Sequence, residues 1–308
     1  MVVTELQWGR HYAMVEPSHF RIDYAINPFM DPAVQPDPAR AAAQWSALHA
    51  ALGGLGATVE VIPARPDAPD MVYAMNLGFP VLRHAGPAAS ARSVVMSHMR
   101  HEQRRPETPS ARAWFEAALF AATHVGGDGE GPSFEAGDAF AWRGDLVVGF
   151  GPRTDELALA ALAADLGVQV HGVRITHPGM YHLDLAFCPL DERRALVCPD
   201  ALDAPSAAML LDLVPEPLVL TEEEALSTFC ANSVVVGRTV VMPACPDRVR
   251  ARLEEWGFEV LVVDVSEFHL GGGSIRCMTN PLDVTVGRDL VAVPGGRVAV
   301  SEQEESAA

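Results

Sequence analysis

The 308-residue chain carries 22 basic and 40 acidic side chains, a net charge of −18, and is 49% hydrophobic. This composition excludes collagen, coiled coil and wholesale disorder, no apolar run approaches the roughly 20 residues of a membrane span, and the start lacks the basic-then-apolar pattern of a secretory signal. All 22 basic residues are arginine, which excludes Schiff-base and pyridoxal enzymes and a GxxxxGK phosphate loop, while the acidity argues against a nucleic-acid partner. A cytoplasmic protein with neither nucleic-acid nor membrane partners is the expectation.

In chain order, an amphipathic helix is predicted over 36–52 and a strand over 57–62, then a strand at 94–96 and a helix over 109–123. A strand at 146–150 precedes a helix over 154–167, started by Thr154 and stopped by Gly167. Next come a strand at 195–198, a helix at 221–228, a strand over 234–242, a helix over 246–256 from Pro246 to Gly257, and strands at 260–263 and 290–293. Four segments, 134–151, 181–199, 230–244 and 276–294, each read as strand, turn and strand, and 71–98 reads as a fifth with a longer insertion. Their landmarks Phe134, His182, Cys230 and Cys277 are 48, 48 and 47 residues apart. Units of this period point to radial repetition about an axis, with an ordinary open α/β sheet as the alternative. No Pro-, Gly- or Ser-rich linker interrupts them, so a single domain over 1–295 is expected, with a frayed tail over 296–308.

The most informative segment is EFHLGGGSIRCMTNP (267–281). Gly271–Gly273 admit close backbone approach or positive φ, and they lead to Cys277. A cysteine at the end of such a loop is either a nucleophilic thiolate or a buried residue closing a tight turn. In HPGMYHLDLAF (177–187), His182 and Asp184 are two apart and would face one side of a strand. That suits a general acid/base beside a charge-binding group, or a hydrogen-bonded core histidine. Glu135 and Asp138 of SFEAGDAF flank a glycine in an expected strand and either meet a cation or histidine or lie in a solvated turn. Asp70, Tyr73 and Asn76 of PDMVYAMNLGFP line a pocket mouth or cap a strand. Arg105 and Arg153 stand in loops, where a guanidinium forks onto a carboxylate or serves solubility. The five cysteines are odd in number and form no CxxC, so neither a disulfide framework nor a zinc site is expected. Carboxylates for a planar cation and arginines for a distant carboxylate together suit an arginine-like small molecule.

EAGD, HLD 47 residues after its Glu, and GGGSIRC together resemble the guanidine-modifying (pentein) superfamily of arginine deiminases, dimethylargininases and amidinotransferases. The resemblance runs from INPFM (26–30) through GGGSIRCMTNP. It implies a five-bladed α/β propeller of pseudo-fivefold ββαβ repeats, with no metal and no organic cofactor. By the same resemblance Cys277 is the nucleophile, His182 the general acid/base and Glu135 its orienting carboxylate. Asp138 and Asp184 would contact guanidinium nitrogens, and Arg153 and Arg105, the latter flanked by Arg104 and Arg100, would hold the substrate carboxylate. The implied reaction is hydrolysis at the guanidinium carbon of arginine or a methylated arginine, giving citrulline plus ammonia or an amine. Two features depart from the dimethylargininases: Met75-Asn76 replaces a carboxylate pair, and Asp184 follows the HL of the histidine motif as in deiminases. Asn27 and Asn76 are instead similar to the arginine dihydrolase and citrulline ureidase branch, which releases ornithine. An amidinotransferase, a Cys-dependent amidase and a non-enzymatic propeller scaffold are the other readings, and a homo-oligomer is compatible with all of them.

Overall fold

The computed structural model describes residues 5–84, 90–126 and 131–287. The strand expected at 290–293 and the tail from 296 lie outside the described residues.

Fifteen strands among the described residues form five separate three-stranded sheets, none of which closes on itself. One plan recurs: an antiparallel pair, a helix, and a third strand parallel to the second. Strands β1 (His11–Val15) and β2 (Thr58–Ile62) are parallel and joined through helix α1 (Pro38–Gly54). The second unit runs β3 (Gly78–His84), β4 (Ser90–Met96), α2 (Glu107–Ala117) and β5 (Ala121–His124). The third is β6 (Ala139–Trp142), β7 (Asp145–Phe150), α3 (Leu157–Leu166) and β8 (Val170–Arg174). The fourth is β9 (Phe187–Pro189), β10 (Arg194–Val197), α4 (Ala204–Leu213) and β11 (Glu216–Val219). After α5 (Glu222–Thr228) comes the fifth: β12 (Val234–Val236), β13 (Thr239–Met242), α6 (Asp247–Glu255) and β14 (Glu259–Val262). Short helices α7 (Ser266–His269) and α8 (Ile275–Met278) then lead to β15 (Asn280–Pro281), which pairs antiparallel with β1. The first unit is therefore completed from the far end of the chain.

Strands β10 and β13 are apolar beyond their polar first residues and covered on both faces: all four residues of each are buried. Neighbouring units interlock through aromatic side chains. Phe140 of β6 meets Phe187 of β9 edge-to-face, with ring centroids 5.2 Å apart.

Three local expectations are corrected. The helix expected over 109–123 stops at Ala117, because Leu119 takes a left-handed conformation (φ 65°) that ends it and frees 121–124 to pair with β4. Of the two readings of this region, a strand over 234–242 and strand, turn and strand over 230–244, the second holds: it is a hairpin turned at Gly237 (φ 61°). The strands expected around Glu135–Asp138 and His182–Asp184 are single 3₁₀ turns, Ala136–Asp138 and Leu183–Leu185.

Candidate active site

The residues singled out for chemistry lie in the short turns that precede the first strand of each unit: Asn76 before β3, Glu135 and Asp138 before β6, His182 and Asp184 before β9, Cys277 before β15. The repeat thus brings residues distant in sequence to one pocket. Asn27, Asp70, Tyr73, Asn76, Arg104, Arg153, Tyr181, His182 and Cys277 line it.

Cys277 is carried by α8, directly after the glycine loop. That loop is pinned by side chains: Tyr181 Oη donates to Gly272 O at 2.8 Å, Asn27 Nδ2 to Gly271 O at 3.0 Å, and Tyr73 Oη to Phe268 O at 2.7 Å. Gly272 has φ +84°, and a Cβ there would sit 2.7 Å from Asn27 Oδ1, so only glycine fits. The Cys277 thiol donates to Asp184 Oδ2 at 3.3 Å and receives an N–H from Asn232 Nδ2 at 3.1 Å. Asn232 Oδ1 also accepts the Cys277 backbone N–H at 3.1 Å, so one amide fixes both ends of the residue. Burial first, and the Asp184 carboxylate second, push the thiol well above its ordinary pKa. That direction favours the thiol over the thiolate.

His182 Nε2 meets Glu135 Oε2 at 2.8 Å, both groups fully enclosed. Burial alone would raise the Glu135 carboxyl, but Arg153 and His182 outweigh it and hold it far below its ordinary value. Arg153 Nη1 donates to Glu135 Oε2 at 3.1 Å, and Nη2 donates to Ile26 O at 3.0 Å, while its guanidinium lies over the Tyr181 ring. Arg153 therefore does more than face the pocket: it braces the acid/base pair and the segment that carries Asn27.

Asp184 and Asp70 each keep one buried carboxylate oxygen, Oδ1, with no hydrogen-bond partner. Burial raises both carboxyls. Asp70 Oδ2 accepts from Tyr24 Oη at 2.9 Å. Gly137 lets the 3₁₀ turn carrying Asn76 (Ala74–Leu77) come close: its N–H donates to Asn76 Oδ1 at 2.9 Å, and a Cβ there would lie 2.6 Å from that oxygen and 3.2 Å from Asp184 Oδ2.

Two sequence expectations fail on geometry. Asp138 does not line the pocket. Its Oδ1 accepts Leu183 N at 2.9 Å and its Oδ2 the Thr154 hydroxyl at 2.6 Å, and burial pushes its carboxyl up to about 7. Both oxygens are spent on the turn beneath His182, so it cannot hold a guanidinium. Arg105 is exposed, donates to Met99 O, and borders a separate groove with Arg112 and His124. The preceding Arg104 stands in the pocket instead, buried and bidentate to Glu107 at 2.8 and 2.8 Å, with Nη2 also donating to Asp70 O. Asn232 escaped the sequence reading altogether, although it occupies in CANSVVVG the same place before a hairpin that Asn76, Glu135 and His182 hold.

A thiol, a carboxylate-held histidine, and two buried aspartates that each keep an unpartnered oxygen define a cysteine-type hydrolase of guanidino groups. The eukaryotic N,N-dimethylarginine dimethylhydrolase family model matches residues 16–284, and the chain belongs to that family. It is 34% identical to the N(G),N(G)-dimethylarginine dimethylaminohydrolase of Mycobacterium tuberculosis over 88% of this chain and 85% of that protein. It is 31% identical to the bifunctional arginine dihydrolase/ornithine cyclodeaminase ArgZ of Synechocystis over 86% of this chain but only 37% of that one. Among solved structures, the N-terminal domain of ArgZ, in a cysteine-to-serine form bound to substrate, superposes with a TM-score of 0.82 at 30% identity, covering 90% of this chain and 99% of that domain. An asparagine-to-serine form of the same domain, covalently bound to a reaction intermediate, superposes at 0.83 with the same identity.

Proposed function

We propose that the protein hydrolyses a C–N bond at the guanidinium carbon of free arginine or a methylated arginine, giving citrulline and ammonia or an amine. The observation that carries this reading is the contact of Cys277 Sγ with Asp184 Oδ2 at 3.3 Å, at a pocket that His182 and Asp70 share.

A guanidinium bound to Asp184 Oδ1 brings positive charge onto the neighbouring thiol and lowers its pKa, so the thiol passes its proton to Nδ1 of His182 and becomes the thiolate. Sγ attacks the guanidinium carbon. Nε2 of His182 is held by Glu135, so Nδ1 gives its proton to the departing nitrogen as the C–N bond breaks. A water then loses a proton to the same nitrogen and attacks the carbon, and the C–S bond breaks to restore Cys277. At the far end Arg104 and Arg153 fork onto the α-carboxylate, and Asp70 Oδ1 accepts the α-ammonium. Tyr73 and Asn27 hold the glycine loop in shape. No step calls for a metal or an organic cofactor.

The test is incubation with arginine, mono- and dimethylarginine and citrulline, followed by amino-acid analysis. Citrulline formed from at least one guanidino substrate is expected, and consumption of none of them overturns the reading. A second reading rests on Asn76 and Asn27. A carboxylate only accepts hydrogen bonds, whereas an Asn amide also donates, which suits the carbonyl of a neutral ureido group. Citrulline would then be cleaved again to ornithine. Ornithine and ammonia from citrulline alone would select this reading, and inert citrulline would remove it.

We also read the five sheets as blades about one axis and residues 1–295 as a single catalytic domain, supported by the five repeated units and by the position of the pocket at their turn ends. A cytoplasmic setting is supported by five free cysteines, and a partner set without nucleic acid by the net charge of −18.

A further inference from the structure

Arg104 and Arg153, the two arginines of the pocket, are each tied to a buried glutamate, and the two glutamates differ. Glu135 divides its oxygens among Arg153, His182 and the Arg100 amide. Glu107, the first residue of α2, gives both of its oxygens to Arg104: Nε donates to Oε1 and Nη2 to Oε2, each at 2.8 Å. Both side chains are buried. An acidic side chain in the first turn of a helix ordinarily serves the free N–H groups of that turn. This one folds back onto a residue three positions earlier. Stability does not account for the pair, because two apolar side chains would fill the same space without the cost of desolvating two charges.

What the pair fixes is the direction of the guanidinium. Arg104 has five N–H donors in one plane. The single donor of Nε goes to Glu107, and the two of Nη2 go to Glu107 and to Asp70 O, the latter at 3.2 Å. Among the described residues Nη1 donates to no protein acceptor, and Arg104 lines the pocket while Glu107 does not. With the Nε–Nη2 edge clamped, the third corner of the plane can point only one way. We propose that Glu107 is a positioning residue for substrate recognition: it turns Arg104 so that Nη1, with two open N–H donors, meets the α-carboxylate, and it thereby selects guanidino compounds that carry a free carboxylate. The inference deepens the functional reading above and rests on its placing of the α-carboxylate at Arg104. The bond from Nη2 to Asp70 O also ties Arg104 to the residue that receives the α-ammonium, so the two charges of an amino-acid head are read at a fixed spacing.

The test is binding rather than turnover. Affinities for L-arginine, dimethylarginine and agmatine, which lacks the α-carboxylate, are measured by isothermal titration calorimetry in a Cys277→Ser background. Glu107→Gln removes one acceptor and turns a donor onto the guanidinium. It should weaken the two amino acids at least about tenfold and move agmatine much less. Glu107→Asp, one methylene shorter, should shift them in the same direction by less. Adding Glu107→Gln to Arg104→Met should weaken the amino acids no further, since the clamp then has nothing to hold. Unchanged amino-acid affinities in folded Gln or Asp variants, equal losses for agmatine, or additive losses in the double variant would overturn the proposal. So would failure of both the Gln and Asp variants to fold, which would make the pair a strut of the core. A wild type that binds these amino acids without hydrolysing them would remove the functional reading and leave this test intact, whereas one that binds neither would remove both.

Discussion

The thiol of Cys277 lies between an acceptor, Asp184 Oδ2, and a donor, Asn232 Nδ2. Cys277→Ser replaces a nucleophile that can ionise with one that does not, and should abolish turnover while leaving the melting temperature within a few degrees. Full activity in that variant would remove the covalent route. Asn232→Ala deletes both bonds to Cys277 and leaves the buried Asp184 carbonyl without its donor. It should cost about 1–3 kcal/mol of stability in denaturant titrations and lower kcat at least about tenfold. The Arg153–Glu135 pair gives a pH signature. The folded Glu135 carboxyl titrates below its ordinary value, so its stabilisation is complete above about pH 4.3 and is lost as the pH falls through the folded value. Arg153→Met should therefore show its largest melting-temperature deficit near pH 7, narrowing below about pH 4. A deficit that ignores pH would assign Arg153 to packing on Tyr181. Because Arg153 also braces His182 through Glu135, kcat should fall along with a rise in KM.

At the scale of elements, the glycine loop is held by three side-chain bonds from three other segments, those of Asn27, Tyr73 and Tyr181. Gly272→Ala puts a Cβ against Asn27 at a positive φ, and should displace α8 and depress kcat more than stability. Thr221→Ala is the matched control. It removes the capping box of α5, far from the pocket, and should cost about 1 kcal/mol with kcat and KM unchanged. The same scale explains what the sequence made legible. Cys277, His182 and Glu135 could be found because a glycine run, a histidine beside an acid and an acid pair are conspicuous in apolar strands. Asn232 could not, since a lone Asn before a hairpin reads as turn chemistry. Arg104 and Arg105 are indistinguishable in HEQRRPE: the choice between them depends on which side of one 3₁₀ turn (Glu102–Arg104) faces inward. The role of Asp138 was misread for a related reason. Its contact with a guanidinium was implied by the family resemblance, but its partners, Thr154 and the Leu183 amide, belong to later segments.

For the whole molecule, the five units were visible as a 47–48-residue period, because each repeats an apolar hairpin that must be covered on both faces. The expectation that 276–294 forms its own hairpin was different: β15 takes β1 as its partner, from the other end of the chain. This closure predicts that amides of β1 and β2 exchange with deuterium as one group, and faster than those of β6 and β7, whose partners are local. Equal protection across all sheets in native-state exchange would count against a separable closing unit.

The closure also orders events in time. Every other residue of the pocket precedes Cys277 in the chain, and the turn that carries Cys277 runs directly into β15, which pairs with β1. During synthesis His182, Glu135, Asp184 and the arginines emerge first, and the sulfur follows them. A prematurely terminated chain would have a binding pocket but no reactive atom, and a chain fraying at this seam would lose its chemistry before its fold. The architecture acts as its own inspection step, since the sulfur is placed last, beside the strand that pairs with β1.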